Sequence, residues 1–173
     1  TRAGALKLLE YTIKNPGAVL LVLAPTYDML NVATLYTVLE LWPRELTAGY
    51  NKQDKIMLVP NGVMILFRST DDPDHLRGPP NIAAAWLDEA RMMKGGERGT
   101  FKVVQGRVGR DRRWPGQIWL TTTSNGFDWI YQEFGKRERP GYALHTWSAE
   151  ANYFADPEFI KTLRESYSEM FAL

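Results

Sequence analysis

Apolar positions along the chain follow two alternating patterns. Arg2–Lys14 (RAGALKLLEYTIK) sets Ala5, Leu6, Leu9 and Ile13 on one face of a predicted helix, which Asn15-Pro16-Gly17 ends. Ala18–Ala24 is apolar at every position, the mark of a strand buried on both faces, and Pro25 closes it. Asp28 is placed to cap a second helix to about Trp42, with Leu30, Ala33, Thr37, Val38 and Leu41 inward and Pro43 as its stop. Lys55–Val59 and Val63–Ser69 flank the turn signal Pro60-Asn61-Gly62 and predict a strand pair. Ile82–Leu87 and Gln117–Thr122 read as further buried strands, each running into polar residues. A short helix over 128–136, a strand over Tyr142–Trp147 and a last helix opened by Pro157, with Phe159, Ile160, Leu163 and Tyr167 inward, complete the pattern. This alternation predicts an α/β domain with a mostly parallel sheet. In such sheets the chemistry gathers beyond the carboxyl ends of the strands, where residues 25–28, 88–89 and 121–126 fall.

Composition narrows the chemistry. A chain of 173 residues, 45% apolar and 24% charged, is long enough to bury roughly 70% of its unfolded surface as one domain. It has no cysteine and two separated histidines, which excludes a disulfide framework, a thiol nucleophile and a cysteine or histidine metal cluster. Any metal must be held by oxygen ligands. The net charge of +1 averages an acidic stretch, Asp71–Glu89, with a basic one, Lys94–Arg113. The longest apolar run falls far short of the ~20 residues of a membrane span, so no membrane is implied. The chain opens on Thr1 without Met or a signal peptide, and is expected to be part of something longer.

Asp88-Glu89, directly after a hydrophobic strand, is a Walker B arrangement. The aspartate there can hold the water shell of Mg²⁺, and the glutamate can orient and deprotonate the water that attacks a γ-phosphate. On the residues alone, two acids complementing a helix dipole account for the same dipeptide. Thr121-Thr122-Thr123-Ser124-Asn125-Gly126 can contact a γ-phosphate or its attacking water, or simply bond local backbone before an Asn-Gly turn. Thr1-Arg2 precedes a helix as the last residues of a phosphate loop do, but no Gly-rich segment or lysine precedes them, and a plain chain end reads the same way. Arg77, in a polar loop before the Walker B strand, suits stabilisation of a transferring phosphoryl group, or a pair with Asp72 or Asp74. Lys94, Arg98, Lys102, Arg107, Arg110, Arg112 and Arg113 face only Glu97 and Asp111, an excess of five positive charges suited to DNA phosphates, a subunit contact or solvent.

In order, LVLAPTYDML (Leu21–Leu30), Asp74-His75-Leu76-Arg77-Gly78, Ala85-Trp86-Leu87-Asp88-Glu89-Ala90 and Leu120–Gly126 resemble the ATPase domain of the large terminase subunit, the DNA-packaging motor of tailed bacteriophages. Ser124 stands where the family's coupling motif usually has Pro, and 151–173 resembles the stretch leading toward the linker before a nuclease domain. The resemblance implies a P-loop NTPase-like three-layer sandwich, spanning 1–173 as a single ATPase domain whose N-terminal phosphate loop is missing. It implies ATP and Mg²⁺ as cofactors, Asp88 and Thr1 at the metal, and Glu89 as catalytic base. Arg77 becomes an arginine finger, and Thr1, Arg2, Thr121, Thr122, Thr123 and Asn125 become nucleotide contacts. The implied partners are double-stranded DNA, a homo-oligomeric ring, commonly of five subunits, the portal protein and the small terminase subunit, in the host cytoplasm and at the procapsid. A helicase-like or recombination-type translocase, or a non-catalytic assembly or DNA-binding module, shares the same core.

Overall fold

The computed structural model of the protein describes residues 1–71, 81–93, 99–123, 126–136, 139–148, 151–152 and 155–171, with side chains to 165. It has two compact units, Thr1–Glu133 and Phe134–Leu173.

The first unit carries helix α1 (Arg2–Lys14), strand β1 (Val19–Ala24), a helical segment of α2 (Tyr27–Met29), a wide π-helical turn (Leu30–Leu35) and α3 (Tyr36–Leu41), then β2 (Gly49–Asn51), β3 (Ile56–Leu58), β4 (Met64–Ser69), β5 (Ala84–Asp88), α4 (Thr100–Gln105) and β6 (Gln117–Thr121). The strands form one sheet in the order β2-β3-β4-β1-β5-β6. The β4, β1, β5 and β6 strands run parallel, and β2 and β3 extend the β4 edge antiparallel. Leu20, Val22, Ile65, Phe67, Ala84 and Trp86 share a core with Ala5, Leu8 and Tyr11 of α1 and with Leu30, Leu35 and Val38. Leu21, Leu23, Leu66, Ala85 and Leu87 alternate with them and are buried too. Burial on both faces is why these strands read as unbroken apolar runs.

The predicted strand pair forms as β3 and β4, joined through Asn61, whose side chain accepts a hydrogen bond from Val63 N (3.2 Å) and donates one to Thr12 O (2.9 Å). Several predicted faces are corrected. On α1 the buried side is Gly4, Ala5, Leu8, Tyr11 and Thr12, while Leu6 and Ile13 are 54% and 57% exposed. The cause is Trp86: a Cβ on Gly4 would lie 2.3 Å from its indole, so the helix seats itself through the one residue that lets the ring in. The cap of the next helix is Thr26, in extended backbone, whose hydroxyl accepts from Met29 N (3.2 Å), and not Asp28. Beyond it the wide turn rotates the inward face, so that Leu30, Thr34, Leu35 and Val38 are buried and Ala33 is exposed.

In the second unit the strand predicted over Tyr142–Trp147 does not form, and residues 142–148 are irregular. A strand is stabilised by buried cross-strand pairs, but Leu144 and Trp147 are 49% and 76% exposed. Local aromatic contacts form instead, His145 stacked on Trp147 and Tyr142 against Phe134. The last helix is α5 (Pro157–Phe171), with Asp156 accepting from Glu158 N (2.9 Å). Its Phe159 is exposed rather than inward, and the Tyr167 side chain lies outside the described residues.

Candidate active site at the carboxyl edge of the sheet

The parallel strands end together. Ala24 of β1 is level with Ser69 of β4, and Asp88 of β5 is level with Thr121 of β6. That register brings the acidic and the threonine-rich motifs side by side across a single strand spacing of ~4.8 Å. The chain reaches α1 at the same edge, where the backbone nitrogen of Thr1 is 3.7 Å from Asp88 Oδ1.

Asp88 is 1% exposed. Its Oδ1 accepts a hydrogen bond from the Thr121 hydroxyl and its Oδ2 one from the Thr34 hydroxyl, each at 2.7 Å. Thr121 is itself held, since its Oγ accepts from the Trp86 indole N–H at 2.8 Å. Burying a carboxylate is costly unless it is paired or hydrogen-bonded. Two neutral hydroxyls occupy one lone pair on each oxygen and leave another on each.

Glu89 follows in the left-handed region, at φ 48° and ψ 44°, before a short helical turn over Ala90–Met92. A non-glycine residue there stores roughly 1–3 kcal/mol, and such strain gathers at functional sites. The turn takes Glu89 out of the strand, so that it leaves the sheet edge half-buried while Asp88 stays in the interior. Thr122 accepts a long hydrogen bond from Arg91 N (3.4 Å), and Thr123 is exposed.

This donor set fits a hydrated Mg²⁺ bound with phosphates, which takes one or two carboxylates and keeps several waters. Asp88 is a buried anion with lone pairs to spare, and the Thr1 side chain caps no amide of α1. Among the described residues no group of three or more acids and histidines exists to cage a bare ion.

The structure therefore brings together Thr1, Asp88, Glu89 and Thr121, with Thr122 and Thr123 following. Arg2 turns away into an exposed pair with Glu40 (3.2 Å). Arg77, Asn125, Lys94 and Arg98 lie outside the described residues. Val108 bridges Ile82, the Gly109 N–H bonds Ile82 O, Pro115 O accepts from Tyr11 and Trp114 bonds Pro16 O. Residues 107–115 thus sit at the amino edge of the sheet, opposite Asp88. There Arg113 pairs with Asp111 and lies over Trp114, Arg110 bonds Gly106 O, and Arg112 is exposed, as is Lys102 on α4.

The family model for the phage terminase large subunit matches residues 2–171. The chain belongs to that family. Among solved structures, this terminase chain is similar to the large terminase ATPase domain of Thermus phage P74-26, with 20% identity over 96% of this chain and 75% of that one, at a TM-score of 0.56. A mutant of the same domain matches at 19% identity over 80% of this chain and 61% of that one, at a TM-score of 0.53. At these identities the likeness is one of fold, the P-loop NTPase-like α/β sandwich with its mostly parallel sheet. No curated protein matches the chain.

Two members of the terminase site are absent from the sequence-based reading. Trp86 reads as core, yet its N–H holds Thr121. Thr34, a single polar residue four positions after Leu30 and four before Val38, gives no signal of its own.

Proposed function

We propose that this terminase chain is the ATP-hydrolysing motor domain that drives double-stranded DNA into a procapsid. The observation that carries it is the buried Asp88, level with Thr121 and followed by the strained Glu89, at the carboxyl edge of a parallel sheet. In this reading Asp88 and Thr1 would hold a hydrated Mg²⁺, whose chemistry would be to offset phosphate charge. Glu89 orients the attacking water and takes its proton. Thr121, bonded directly to Asp88, carries the change in phosphate state into β6, and Thr122, Thr123 and Asn125 extend that link. Arg77 acts as the arginine finger toward a neighbouring subunit. Ring assembly, probed as five subunits, docking on the portal, the small-subunit contact and a site of action in the host cytoplasm follow from the same assignment. The basic residues 107–113 lie on the opposite edge, so any DNA contact they make is separate from the ATP site.

A non-hydrolysable ATP analogue with Mg²⁺ tests this through melting temperature. At 100 times Kd a ligand specific for the folded state adds about 2.7 kcal/mol, a rise of roughly 5–10 °C for a chain of this size. No rise at millimolar analogue in the full-length chain refutes the nucleotide site.

A further inference from the structure

We propose that Thr34 is a positioning residue for Asp88. The Thr34 hydroxyl is 2.7 Å from Asp88 Oδ2 across 54 residues of sequence, and Thr34 is 1% exposed. Helical threonines commonly bond their own preceding turn. Here the hydroxyl donates its hydrogen bond to the acid instead. With Thr121 on Oδ1, the second hydroxyl fixes the rotation of the carboxylate and so determines which lone pairs remain for the water shell of a metal. A role in packing alone is filled equally well by valine, which has the same shape and no donor.

The inference rests on the reading of Asp88 as the metal-associated carboxylate. Binding of Mn²⁺ in the presence of ADP, followed by electron paramagnetic resonance of the free ion, tests both in the full-length chain. Thr34→Val should weaken Mn²⁺ about tenfold, the usual effect of losing an outer-shell partner, and leave ADP affinity in EDTA unchanged. Thr34→Ser, which keeps the hydroxyl, should bind Mn²⁺ as wild type does. Thr34→Ala, measured in parallel, should repeat the valine result and stands in for it where valine does not fold. Wild-type Mn²⁺ affinity in Thr34→Val or Thr34→Ala overturns the proposal, as does a loss in Thr34→Ser equal to that in the variants without a hydroxyl. Absence of ADP-dependent Mn²⁺ binding in wild type overturns the site reading itself, and this inference with it.

Discussion

Glu89→Gln is expected to abolish ATP turnover while leaving nucleotide binding intact. The amide keeps the length and shape of the side chain but cannot take a proton from the attacking water. Losing a general base costs about 10²- to 10⁴-fold in rate. Binding is preserved because the groups assigned to metal and phosphate, Asp88, Thr1 and Thr121, are untouched and Glu89 makes none of the hydrogen bonds that hold Asp88. The left-handed backbone at φ 48° sharpens the test. Glutamine bears the same strain, so Glu89→Gln should melt with wild type. Glu89→Gly relieves the strain and should melt no lower than wild type, yet be as inactive as the glutamine variant. Single-turnover phosphate release, alongside equilibrium binding of the ATP analogue, separates the two quantities. Retained turnover in Glu89→Gln removes Glu89 from the role of base.

Gly4→Ala is expected to destabilise the protein, against the ordinary preference of helices for alanine. By propensity alone the change gains about 1 kcal/mol. A Cβ there meets the Trp86 ring at 2.3 Å, far inside contact distance, and that ring is fully buried with no free end to swing away. Overpacking of this kind costs typically 1–3 kcal/mol, here at the upper limit. The clash therefore outweighs the propensity gain by about 2 kcal/mol, a fall in melting temperature of roughly 4–8 °C. The site feels it too. A displaced indole loses its 2.8 Å hydrogen bond to Thr121, which in turn holds Asp88. Thermal denaturation of the variant checks this, and a melting temperature at or above wild type contradicts the packing account.

The parts of the fold legible in the sequence are those where one physical cause dominates. Ala18–Ala24 and Ala83–Leu87 are apolar throughout because both faces of a central parallel strand are buried. Asp88 and Thr121 stand out because polarity resumes where those strands end, and the structure places the two level with each other. The inward face of α1 was not legible, since it is set by a glycine fitting an indole from β5 rather than by the positions of leucines. Thr34 was hidden because its partner, Asp88, lies 54 residues away, and a lone threonine on a helical face carries no mark of such a contact. The apolar residues of 142–147 alternate enough to suggest a strand, but pattern alone cannot supply a buried neighbour. The opposite-edge location of Arg107–Arg113 had a readable signal. Residues that precede a parallel strand lie at its amino end, away from the chemistry, and this stretch leads into Gln117 of β6.

The most direct measurement is phosphate release from ATP by the full-length chain, with and without Mg²⁺. Asp88 at the strand end and Glu89 beyond it predict hydrolysis that depends on Mg²⁺ and falls to background when the ion is chelated. Release that is absent with Mg²⁺ present, or unchanged on its removal, contradicts the assignment of this edge of the sheet as the hydrolytic centre.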